Sequence, residues 1–302
     1  MEFRQLRYFV TVAETLNFTR ASEKLHIAQP AVSRQVRQLE QEIGVDLLIR
    51  GKRRILLTDA GRVLLEQAKI LLAHAEHAAD AARRAQKTER KLVRVGIAVG
   101  LGERVNTVLI QHAKSFPDVE VQCRNIVSSH QNEALKQLRI DVGFLRPPVD
   151  LEHFKSEVLF TEPLLVLIPE TNPLARRKSV RLRQLAGMLL LLHRRSVSIG
   201  LYDKILELYR EADITPEIEH TLAAPYEEAG GMLVASGKGI YIGVGAALEH
   251  PVFSRGVKAV RLDEPGASID VHVAWRRDES SGALMDFLQS VRTVFKISTK
   301  DS

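Results

Sequence analysis

Apolar residues near the start of the chain recur at helical spacing. Leu6, Phe9, Val10, Ala13 and Leu16 follow the i, i+3, i+4, i+7 rhythm of a helix packed on one face. Asn17 and Thr19 offer N-cap chemistry to a short second helix, TRASEKL, with Ala21 and Leu25 turned inward. A third helix is predicted in QPAVSRQVRQLEQEIG. There Val32, Val36, Leu39 and Ile43 share one side, and Gln29, Ser33, Arg34, Arg37, Gln38 and Gln41 share the other. Pro30 suits its first turn and Gly44 its stop. Two short apolar runs, ending in ILLT and joined by RGKRR, then read as a hairpin with a basic tip.

Asp59 opens a helix of about 28 residues, roughly 40 Å long, since neither Gly nor Pro interrupts it after Gly61. Leu64, Ala68, Leu71, Ala75, Ala78 and Ala82 alternate steps of four and three along it, the spacing of a seam against another helix. A rod of this kind projecting from a small head pairs best with a second copy of the chain. From Leu92 onward the texture changes to alternating strands and helices. The runs LVRVGIAV, VEVQCRN, DVGFLR, PLLVLIP, MLLLL, GIYIGVG and DVHVAW alternate with helical stretches, an order that predicts parallel sheets covered by helices.

Composition changes this picture in two ways. The hydrophobic fraction of 45% and charged fraction of 26% are those of a folded soluble chain. The net charge of +6 is unevenly spread: residues 1–94 hold 18 Lys and Arg against 11 Asp and Glu, whereas the remainder is nearly balanced. An N-terminal positive excess favours a polyanionic partner, nucleic acid ahead of an anionic membrane surface. The single cysteine, Cys123, allows no intrachain disulfide and fits a reducing compartment. With neither a signal-peptide pattern nor an 18-residue apolar run, the expected location is the cytoplasm, with no membrane partner.

The second and third helices are joined by HIA, a connection typical of a helix-turn-helix. In that motif the second helix enters the major groove, so its N-terminal side chains must offer donors and acceptors to base edges. Arg34 and Arg37 suit guanine, Gln29 suits adenine, and Ser33 suits base or phosphate; Thr19, Pro30 and Gln38 complete the expected surface. On spacing alone a merely solvated helix face accounts for the same stripe. Arg50, Lys52, Arg53 and Arg54 in the hairpin would follow phosphates and add salt-dependent affinity.

The run FTRASEKLHIAQPAVSRQVRQLEQEIGVDLLIRGKRRILLTDAG resembles the N-terminal region of LysR-type transcriptional regulators, and the likeness continues across the chain. The resemblance implies a winged helix-turn-helix over residues 1–58, a linker and dimerisation helix over 59–90, and an effector-binding domain over 91–302. That last part would consist of two α/β subdomains resembling periplasmic binding proteins, the first at about 91–162 and 267–302, the second at about 163–266. It further implies tetramers built as dimers of dimers on promoter DNA, with contact to RNA polymerase left open. One departure lies at Ala28, where the family often has Ser; losing that N-cap hydroxyl costs about 1 kcal/mol.

By the same resemblance an effector sits between the subdomains, lined by Gly100, Leu101 and Gly102, by Ser128 and Ser129, and by Ser198. Helix N-termini and hydroxyls there favour a small organic acid. Relatives commonly carry a hydroxyl where this chain has GLG, so backbone N–H groups, helped by Ser128, would hold the anion. Arg146 and Glu162 match positions that form a charged pair near the effector in benzoate- and muconate-responsive relatives; a purely structural ion pair is the alternative. LLIRGKRRILLTDAG and HVAWRR are similar to regulators of phenylpropionate and other aromatic acid catabolism.

An enzyme is not expected. VGIAVGLGERV has Val105 where a dinucleotide fingerprint needs its third glycine, and His74 and His77 lack a third metal ligand nearby. No cofactor or metal is predicted. The rival readings are a small-molecule binding module whose basic head does not contact DNA, and an architectural DNA binder without an effector.

Overall fold

The computed structural model describes residues 1–51, 55–86, 91–221, 226–245 and 256–297. It forms two compact units: Met1–Glu89, with which Lys136–Arg139 group, and Arg90–Leu135 with Ile140–Ser302.

The first unit opens with α1 (Phe3–Thr15), α2 (Phe18–Leu25) and α3 (Gln29–Ile43). Phe9, Val12, Ala21, Val32, Val36 and Leu39 meet in one dry core. Two residues expected on inward faces fall outside it. Leu16 is the left-handed C-cap of α1 and Ile43 ends α3, and both are exposed because the helices stop there. Asn17, not Thr19, caps α2: its Oδ1 accepts from Thr19 N at 2.8 Å and Arg20 N at 3.1 Å. At the head of α3, Ala28 supplies no side-chain cap, and Gly44 (φ +82°) closes the helix in the left-handed region that suits glycine.

The wing is a two-stranded antiparallel ribbon, β1 (Leu48–Arg50) and β2 (Ile55–Leu57). Glu40 of α3 anchors its base, accepting from Leu47 N at 3.0 Å, Leu48 N at 3.1 Å and Arg50 Nη2 at 2.6 Å. Next, α4 runs from Asp59 to Gln86, 28 residues. Gly61 lets its first turn press against the chain: a Cβ there would lie 2.0 Å from Leu47 O. Ala68, expected on an open seam, is fully buried in the head's own core, since α4 begins by packing on α1. Leu64 is half-buried against the same core, whereas Leu71, Ala78 and Ala82 are exposed and Ala75 is half-buried.

The second unit is built on a sheet ordered β4-β3-β5-β12-β6-β10-β8-β9, with β11 paired to β6 beside that path and β7 paired to β11. Its first half contains β3 (Lys91–Ile97), α5 (Gly102–Ser115), β4 (Val119–Asn125), α6 (Ser128–Lys136), β5 (Val142–Leu145), β12 (Ser268–Arg276) and α9 (Gly282–Phe295). Its second half contains β7 (Ser179–Val180), β8 (Leu190–His193), α7 (Ile199–Glu211), β9 (Ile218–Thr221), α8 (Tyr226–Ala235), β10 (Ile240–Val244) and β11 (Val257–Leu262). Each half has its own core, one around Val95, Phe144, Val273 and Phe287, the other around Val166, Leu190, Ile205 and Ile240.

The sheet is mixed, not parallel as expected. β3 is parallel to β4 and β5, and β8 to β9 and β10, but β6 (Phe154–Pro169) is antiparallel to β10, β11 and β12. The reason is geometric: β6 and β12 are return strands, and β6 pairs with β12 through Pro163 before pairing with β10 and β11. Among the described residues no helix is long and apolar enough to cross a membrane.

Candidate functional site

On the head, the α3 stripe stays open to solvent. Gln29, Pro30, Arg34, Arg37 and Gln38 are exposed, as is Thr19 on α2, and Ser33 is half-buried. Among the described residues neither Arg34 nor Arg37 meets a carboxylate, so both guanidinium groups keep their donors for a ligand. Arg50 behaves differently from expectation. Its guanidinium turns back onto Glu40 and lies 5.5 Å from the Phe18 ring centroid, so it braces the wing. Lys52, Arg53 and Arg54 lie outside the described residues, as does the His77 side chain.

In the second unit, the order β4-β3-β5 makes the loops after β3 and β5 part at the strand ends, the crevice where open α/β sheets bind ligands. Arg146 follows β5 and occupies that point. Its Nε and Nη2 donate to Glu162 Oε2 at 3.0 and 2.7 Å, its Nη1 donates to Val99 O at 2.9 Å, and its backbone N–H donates to Ser128 Oγ at 3.1 Å. Both members of the ion pair are 4% exposed, and among the described residues Glu162 Oε1 has no partner. Removing either member would strand a buried charge, at about 3–5 kcal/mol.

Against this pair opens a cavity of about 900 Å³. It is lined by the turn Ile97–Gly100, by Gly102, Glu103, Arg104 and Thr107 of α5, by Asn125, by Phe160–Pro163 and by Gly245. Of the residues expected at an effector, Gly100, Gly102 and Glu162 meet here. Gly100 takes φ +79°, and a Cβ at Gly102 would find open space, so the missing hydroxyl has left room. The Leu101 side chain is 1% exposed in the core, so this residue offers a ligand its backbone alone. Arg104 and Phe160 were not singled out from the sequence, because a lone arginine in a helix and a lone ring in a strand carry no local signal.

The serines lie elsewhere. Ser128 backs Arg146 and does not line this cavity. Ser129 Oγ donates to Val197 O at 3.2 Å, tying α6 to the loop before α7. Ser198, the N-cap of α7, is buried with its Oγ unpartnered among the described residues, and His193 at the end of β8 is buried beside the Ser198 backbone. Burial pushes the His193 imidazole down to about 4; the nearby positive charge of Arg146 and the neighbouring His220 add to this, while a Ser198 backbone group opposes it. In the sequence His193 is hidden as the last residue of an apolar run. One group of described residues could hold a metal ion, Asp150, Glu152 and His153, but its acids are common surface chemistry.

Comparison with known proteins joins these two surfaces. Residues 3–62 match the bacterial regulatory helix-turn-helix protein, lysR family, and residues 86–296 match the LysR substrate binding domain. The chain is 34% identical to the probable cat1 operon transcriptional activator of Acinetobacter lwoffii, with 98% of this chain and 96% of that one aligned. It is 32% identical to the Hca operon transcriptional activator HcaR of Escherichia coli K12, with 97% of each covered. Among solved structures it resembles CbnR, a LysR family transcriptional regulator, with a TM-score of 0.72, 26% identity and coverage of 97% and 99%. Full-length CbnR complexed with its target DNA gives a TM-score of 0.70 at 27% identity, covering 97% of this chain and 100% of that one. The chain belongs to the LysR family: it is a transcriptional regulator with a helix-turn-helix DNA-binding domain and a separate effector-binding domain.

Proposed function

We propose that this regulator acts in the cytoplasm as a homotetramer, a dimer of dimers on promoter DNA, and that a small organic acid, aromatic in the first instance, sets its response. The observation that carries the effector reading is the cavity of about 900 Å³ lined by Glu162 of the buried Arg146–Glu162 pair. A site of that size suits a small molecule. Relatives named as activators of the cat1 and hca operons support a role at catabolic operons. The exposed Gln29, Arg34, Arg37 and Gln38, with the half-buried Ser33 between them, would read base edges, and Thr19 with the wing cations Lys52, Arg53 and Arg54 would hold phosphates. Effector binding between the two halves of the second unit would change the angle between dimers and so the bend of the DNA. RNA polymerase is the further partner such a change could reach.

Footprinting tests this reading. Purified protein is bound to its best genomic fragment, with and without small acids metabolised by the products of neighbouring genes. The expected result is a long protected region that shortens with one acid. An unchanged footprint and bend angle at saturating acid would overturn the effector mechanism, and sequence-indifferent retention would favour an architectural DNA binder.

A further inference from the structure

We infer that the cavity beside Glu162 takes a small carboxylate that also carries a hydroxyl, with the carboxylate on Arg104 and the hydroxyl donating to Glu162 Oε1. This rests on the effector reading above and names the chemistry of the ligand.

Two lining side chains have unmet capacity, and their demands differ. The Glu162 carboxylate is buried, and both Arg146 donors fall on one of its oxygens, Oε2. The other oxygen is buried and, among the described residues, without a partner. Since Arg146 already balances its charge, Glu162 needs a neutral proton donor and not a second cation. Arg104 presents the opposite case. It lies in the first turn of α5, and its Cζ sits 4.9 Å from the Phe160 ring centroid, while Phe160 itself stacks on Phe295 at 5.4 Å. The rings give the guanidinium an oriented seat at the cavity, and among the described residues no carboxylate pairs with it. Glu103 lines the cavity too and is exposed like Arg104; among the described residues the two form no ion pair, and solvent screens both charges alike.

A guanidinium with free donors binds a carboxylate through a two-pronged hydrogen-bonded fork. Ile97, Ala98, Val99 and Pro163 supply apolar wall between the two polar ends. The ligand that answers all three features has an anionic end, an apolar body and a hydroxyl. At about 900 Å³ the cavity has room for an aromatic ring with a short side chain.

The test is calorimetric titration of the full chain with the three hydroxybenzoates and meta-hydroxyphenylpropanoate, against benzoate, phenol and meta-(aminomethyl)benzoate. At least one hydroxy acid is expected to bind about tenfold or more tightly than benzoate or phenol, because the unpaired oxygen rejects a ligand without a donor. Arg104→Gln, at an exposed position, is expected to weaken the acids and leave phenol unchanged. Glu162→Gln is expected to remove the preference for the hydroxyl, with its melting temperature checked for folding. Equal binding of benzoate and the hydroxy acids, tighter binding of the aminomethyl compound, or an unaltered Arg104→Gln would each overturn the inference. If none of these probes binds while the operator footprint still shortens with another compound, this ligand class falls and the regulator stands. If no compound changes the footprint, the effector reading itself falls.

Discussion

His193 shows how one side chain can tie stability to pH. Its folded pKa lies near 4, below the ordinary 6.5, so the unfolded chain binds more protons between those values. The contribution is therefore fully present above about pH 6.5, is lost as pH falls towards about 4, and is flat below that. Between about pH 7.5 and about pH 5 the wild type should lose about 2 kcal/mol more than His193→Asn, read from denaturant titrations at both values. Parallel losses in the two proteins would show that the imidazole is not held neutral. Glu40 makes a second residue-scale case. It satisfies two backbone N–H groups at the base of the wing as well as Arg50, so Glu40→Ala should cost about 2–4 kcal/mol. A loss under about 0.5 kcal/mol in the same assay would mean that water replaces the carboxylate freely.

At the scale of elements, close approach decides as much as periodicity does. Gly61 sits where α4 meets the chain entering β1, and the Cβ of Gly61→Ala would overlap Leu47 O. The expected cost is about 2 kcal/mol, with weaker operator binding because the wing base must shift; an unchanged denaturation midpoint would refute it. The sequence revealed α3, α4 and β10 well, because long runs of regular spacing or a compact apolar strand survive any packing. It hid the front half of β6, where Lys155 and Glu157 interrupt the apolar positions, and it hid β11, whose Lys258 and Arg261 do the same. It also misread Leu16 and Ile43, which sit at helix ends where periodicity carries no information about burial. The site divides in the same way. Arg146 and Glu162 were legible by position in a family pattern, whereas Arg104 and His193 gain meaning only from what lies beside them after folding.

At the scale of the whole molecule, the face of α4 left over after the head is packed must be accounted for. Ala68 is spent on the head core, yet Val63 and Leu71 remain 64% and 42% exposed, with Ala78 and Ala82 exposed further along. Apolar side chains on one long helix, flanked by small residues that permit close approach, are what a second α4 would cover. Because Leu71 lies outside the buried core, Leu71→Glu can test pairing without emptying the head. In a symmetric pair the substitution would place two carboxylates in one contact, weakening association about tenfold or more at low ionic strength. Sedimentation over a range of protein concentrations should then show the variant dissociating where the wild type stays associated, with operator affinity falling because two half-sites are no longer bound together. Identical masses at every concentration would assign the exposed face of α4 to solvent and move the search for the dimer contact to the second unit.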